Sequence, residues 1–120
     1  MLIALWIITV LLAIAFLGAG GLKLVKPRSA LIDGGMPWAA DFSAGFIKTI
    51  AALEVLGALG LILPLATGIA PVLAPIAAIG EAILMIGAVV VHVRRKEPFL
   101  PPLVLGLLSV VAAVLGLLVL

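Results

Sequence analysis

Two stretches of this chain, residues 1–22 and 98–120, contain no charged side chain, and each is long enough to cross a bilayer. A hydrocarbon core about 30 Å thick is spanned by roughly 20 apolar residues rising 1.5 Å each. Two further apolar stretches lie between them, about 43–63 and 70–91, parted by Pro64-Leu-Ala-Thr-Gly68. Backbone polar groups surrounded by lipid must find partners within their own segment, which selects helices over isolated strands. The expected fold is an all-α integral membrane protein. It is a single four-helix transmembrane domain over 1–120, an antiparallel bundle with spans near 2–24, 43–63, 70–92 and 99–120. A water-soluble core is not an alternative. Of the 120 residues 67% are hydrophobic and 10% charged, where soluble domains carry about 25% charged residues. So short a chain also has too little interior to hide the surplus.

The links between spans carry boundary signals. Asp41 or Ser43 is a cap for the second helix, and Thr67 starts the turn into the third. Pro71 is tolerated in a first turn, whereas Pro75 is expected to bend the third helix slightly. Pro98, Pro101 and Pro102 mark the start of the fourth span, and residues 25–42 form the longest loop. Lys23, Lys26 and Arg28 flank that loop, Arg94-Arg95-Lys96 occupy the loop after the third span, and the remaining loop and both ends carry no Lys or Arg side chain. The positive-inside tendency then turns the first and third loops to the cytoplasm and both termini outward. The first span lacks a basic leader and a cleavage context, so it reads as a retained helix. Trp6 and Trp38 read as interfacial anchors. A net charge of +2 from a few boundary residues excludes a basic nucleic-acid face, and the absence of cysteine excludes disulfides and thiolate metal sites.

Alternating three- and four-residue steps place polar groups on one packing face of each helix. The seams are Trp6-Thr9-Ala13-Phe16-Gly20-Lys23, Ile47-Ile50-Glu54-Gly57-Leu61, Ala74-Ala78-Glu81-Met85-Ala88-His92 and Pro102-Gly106-Ser109-Ala113-Gly116-Leu120. Glu54 and Glu81 each lie about 11 residues into their spans, so both fall near midplane at 1.5 Å per residue. Buried acids in spans are rare and usually face a cavity, a partner or a proton route. Lys48 is placed to pair with a carboxylate or to snorkel to the interface. His92, level with Lys23, completes a polar track from the cytoplasmic surface inward. The ligand- or proton-binding candidates are thus Glu54, Glu81, His92, Lys23 and Lys48. One His and two acids have no metal-ligand spacing, Gly18-Ala-Gly20-Gly21 lacks the dinucleotide fingerprint, and Ser109 and His92 lie at different depths, which rules out a Ser–His–acid set.

Several strings resemble the DoxX-like family of small four-helix bacterial membrane proteins. They are Gly20-Gly21-Leu22-Lys23-Leu24, Met36-Pro37-Trp38, the run from Glu54 through Gly57, Gly60 and Leu61 to Pro64, and the run from Met85 through Gly87, Ala88 and His92 to Arg95. The resemblance covers nearly the whole chain, with Lys23, Glu54 and His92 matching the family pattern. It implies a multi-pass protein of the cytoplasmic (inner) membrane and an association with redox chemistry, the family name coming from a component linked to a thiosulfate–quinone oxidoreductase.

The leading functional expectation is a bundle that binds a small apolar or quinone-like molecule at an intramembrane carboxylate site made by Glu54 and Glu81. No cofactor is evident from the residues, and a quinone is the one the resemblance leaves open. The partners expected are the lipid bilayer, such a ligand, and a second copy or a redox protein. Two alternatives stand beside it, a proton-coupled small-molecule transporter and a structural or accessory membrane subunit.

Overall fold

In the computed structural model, which describes all 120 residues, the chain folds as α1 (Leu2–Val25), α2 (Arg28–Asp33), a 3-10 turn (Pro37–Asp41), α3 (Ala44–Thr67), α4 (Leu73–Arg94) and α5 (Leu100–Val119). It contains no strand. The four long helices are long and apolar enough to cross a membrane. They form an up-down-up-down ring in which α1 packs on α3, α3 on α4, α4 on α5, and α5 closes back on α1. The longest dimension, 41 Å, exceeds the roughly 30 Å of a hydrocarbon core and leaves room for the charged end to project.

Side chains divide as the bilayer demands. Leu12, Phe16, Ala58, Leu61, Ala78, Met85 and Ala112 fill the centre, while Ile3, Ile14, Leu56, Ile86 and Leu118 are exposed on the outside. Thr9 and Ser109 are buried in the bundle and spend their hydroxyls on their own helices, donating to Trp6 O at 3.1 Å and Leu105 O at 2.8 Å. Close packing of α1 on α3 depends on Gly20. A Cβ there would stand 2.9 Å from Val55 Cγ2 and 3.0 Å from Ala51 O, closer than non-bonded carbon atoms sit at their optimum.

Two boundary expectations, at Pro64 and in the long loop, are revised. Pro64 does not end α3, which runs on to Thr67. The ring forfeits only one bond in the last turn, and the stop comes at Gly68, whose φ of 72° suits glycine and whose N–H donates to Pro64 O at 3.0 Å. Pro75 falls in the first turn of α4, which starts at Leu73, and a first-turn residue has no intrahelical acceptor to lose. The long loop is largely ordered into α2 and the 3-10 turn, held by Leu31, Ala39 and Ile47 packing together. Of the two caps proposed for α3, Ser43 serves, accepting from Phe46 N–H at 3.1 Å.

Candidate functional site

The site begins with the α1–α3 contact. Lys23 stands in the last turn of α1, and Gly20 one turn earlier lets α3 approach closely enough for a direct ion pair. Lys23 Nζ donates to Glu54 Oε1 at 2.6 Å, with side chains 10% and 2% exposed. Removing either charge would strand the other in low dielectric, so the two residues form one unit. Trp38, from the 3-10 turn, lies with its ring centroid 5.5 Å from Lys23 Nζ, within reach of a cation–π attraction.

His92 comes from the last turns of α4. Its Nδ1 sits 2.6 Å from Ala88 O. A carbonyl only accepts, so Nδ1 carries the proton, and in the neutral ring Nε2 keeps a free lone pair. The Trp38 ring is 6.3 Å away. Lys23, Glu54 and His92 are the charged or titratable lining of a cavity of about 460 Å³, whose remaining walls are mostly apolar residues of all four long helices and the 25–42 strap.

That strap is clamped at several points. Arg28 Nε donates to Phe42 O and Nη2 to Ala40 O, both at 2.7 Å. Arg95, just past α4, bridges Asp41 through Nη1 and Glu97 through Nε, both at 2.7 Å. These bonds, the one to Asp41 first, push the Arg95 pKa above its usual value. Met36, Trp38 and Phe42 of the strap face the cavity. Phe42 meets Trp38 edge-to-face at 6.0 Å and stacks on Phe46 at 4.9 Å.

Glu81 and Lys48 fall elsewhere. Glu81 is fully buried between α4 and α3, its carboxylate packed against Gly57. A Cβ at position 57 would stand 2.6 Å from the Glu81 carboxyl carbon. Glu81 thus sits beside Gly57, three residues along α3 from Glu54, or about 4.5 Å of helical rise. It does not line the cavity, and its Oε2 has no hydrogen-bond partner. Lys48 pairs with no carboxylate. Its ammonium donates to the carbonyls of Lys23, Leu24 and Lys26, closing the otherwise unsatisfied C-terminal end of α1. It supports the backbone that presents Lys23 and stands outside the site.

The five candidates therefore divide: Lys23, Glu54 and His92 gather at the cavity, Glu81 lies next to it behind Gly57, and Lys48 acts from the side. Sequence reasoning missed the strap side chains, treating Trp38 as an interfacial anchor and leaving Met36, Phe42 and Phe46 unassigned. A signal was present, since half of the aromatic residues fall between positions 38 and 46. No group of three His, Asp or Glu side chains is placed to hold a metal ion.

The residues that build this cavity lie on every long helix, and a model of one protein family spans all of them, matching residues 7–118. The chain belongs to the DoxX-like family. No curated protein and no solved structure matches this DoxX-like chain. Membership agrees with a multi-pass membrane protein built as a helical bundle.

Proposed function

We propose that this DoxX-like protein holds a small, largely apolar molecule with a polar end, quinone-like in character, in the cavity between Lys23, Glu54, His92 and the aromatic strap. One observation carries the reading: a largely apolar space between the helices and the strap ends on a buried ammonium–carboxylate pair and a half-buried imidazole. A volume of about 460 Å³ suits a small-molecule site, and a few convergent polar groups in an apolar lining are what orient such ligands. Lys23 Nζ has donors beyond the one given to Glu54, which fits a ligand carbonyl. His92 Nε2 accepts, which fits a ligand hydroxyl. Electron transfer would be the business of the ligand and a partner protein, since these side chains carry no electrons themselves. All Lys and Arg side chains cluster at the strap end of the bundle, which supports a cytoplasmic-membrane protein with that end facing the cytoplasm.

Native mass spectrometry of the purified protein tests the reading. A retained small molecule that Glu54→Gln weakens is the expected result. A ligand-free bundle, or retention indifferent to Glu54 and His92, contradicts it. A second reading, proton-coupled movement of a small molecule, draws on the unpartnered Glu81 Oε2 beside the site, because buried acids of this kind serve proton relays. Flux in proteoliposomes that follows an imposed pH gradient and disappears in Glu81→Gln would favour that reading over simple binding.

A further inference from the structure

The cavity has a mouth between α3 and α4. In one half of the bundle α3 and α4 press together: a Cβ on Gly60 would stand 3.0 Å from Ala77 Cβ, and Gly57 seats Glu81. Toward the charged end both helices border the cavity. Phe46 and Ile50 of α3 and Ile83, Gly87 and Val91 of α4 line the cavity. Phe46, Ile83 and Gly87 are at the same time exposed on the outside of the bundle, Ile83 at 63%. A residue that both lines a cavity and stands on the outer surface marks an opening.

The lips of this opening are ordered stripes. Ile83, Gly87 and Val91 follow one another at four-residue steps, so they share one side of α4. That side is turned away from Met85, whose Cβ faces Gly106 of α5. Phe46 and Ile50 form the matching stripe on α3. A Cβ on Gly87 would meet nothing within 4 Å, so the missing side chain leaves the gap open. Gly87 lies seven residues before Arg94, about 10 Å along the axis, which sets the mouth at the depth of acyl chains, below the headgroups. Every lip residue is apolar or glycine.

We infer that the α3–α4 mouth is a lateral portal for a chain-bearing amphiphile of the bilayer, whose polar ring lodges among Lys23, Glu54 and His92 while its hydrocarbon chain leaves between Phe46, Ile50, Ile83 and Gly87. This rests on the binding reading above and narrows the ligand to a lipid-dissolved molecule with a compact carbonyl-bearing head. The strap then serves to keep cytoplasmic water from the polar end, and the membrane supplies the occupant.

The test uses Trp38 as a reporter in a Trp6→Phe background, in phosphatidylcholine nanodiscs. The probes are 2,3-dimethoxy-5-methyl-1,4-benzoquinone and its decyl-bearing homologue, titrated on a lipid-phase concentration scale while quenching of indole emission is followed. The decyl homologue is expected to bind tighter than the bare ring. Gly87→Phe should weaken it about tenfold, because the added ring occupies the gap through which the chain leaves, and leave the bare ring within about twofold. Ile83→Trp, read by mass spectrometry of bound probe in place of fluorescence, is the second plug if Gly87→Phe does not purify as a monodisperse helical protein. If both probes bind and the plugs shift neither, or shift both alike, the portal is wrong and the binding site stands. If neither probe binds, portal and binding reading fall together.

Discussion

A Cβ at position 57 should collide with Glu81, and the collision should vanish when Glu81 is shortened. In the native bundle such an atom would lie 2.6 Å from the Glu81 carboxyl carbon and 2.9 Å from its Cγ. Carbon contacts are optimal at about 3.5–4.0 Å, so the side chain would have to retreat by roughly 1 Å from a position where only 1% of it is exposed. Overpacking of this kind costs about 1–3 kcal/mol. Against that, replacing an interior helical glycine by alanine gains up to about 1 kcal/mol. Gly57→Ala should therefore destabilise the native protein by as much as about 2 kcal/mol, and in a Glu81→Ala background it should be neutral or stabilising by up to about 1 kcal/mol. The coupling, about 1–3 kcal/mol, is well above the 0.3–0.5 kcal/mol within which independent sites add. Reversible unfolding in mixed micelles, followed by far-UV circular dichroism on the four proteins of this cycle, measures it. Equal effects of Gly57→Ala in both backgrounds would refute the placement of Glu81 against α3.

The buried ion pair should behave as a unit. Lys23→Met or Glu54→Leu alone is expected to cost about 3–5 kcal/mol in the same assay, and the double variant far less; purely additive losses would show that the charges do not meet. The Arg95–Asp41 clamp is different, because its side chains are 29% and 50% exposed. Asp41→Asn should change stability by no more than about 1 kcal/mol yet shift Trp38 emission in a Trp6→Phe background, and an unmoved spectrum would mean the clamp does not hold the strap. Lys48→Met removes the bonds to the α1 carbonyls and should speed amide exchange in the last turn of α1 without abolishing probe binding; undisturbed exchange there would sink its capping role.

How far this could be read from the sequence depended on the length of each signal. The four long helices were legible because each carries a continuous apolar stretch, and the α1 seam from Thr9 through Ala13, Phe16 and Gly20 to Lys23 is buried throughout. In α3 the seam was phased slightly off. Ala51 and Ala58 are buried while Ile50 and Gly57 are only partly so, because α3 turns one flank to α1 and the other to α4, and periodicity averages over both. α2 has six residues, too few for a periodic pattern to register. The 3-10 turn owes its shape to distant groups, Arg28 on the Phe42 and Ala40 carbonyls and Arg95 on Asp41, none of which is visible as a local motif. Depth alone set Glu54 and Glu81 level with each other. It carried no information about which helices are neighbours, and the ring order is what gives Glu54 to Lys23 and leaves Glu81 behind Gly57.

The shape and contacts of whatever fills the cavity bear most directly on this account. An experimental density map of the protein in lipid, at a resolution that separates side chains, should show non-protein density beneath Trp38, with a polar end within about 3.2 Å of Lys23 Nζ or His92 Nε2. A cavity closed by its own side chains, or one holding only water, would contradict it.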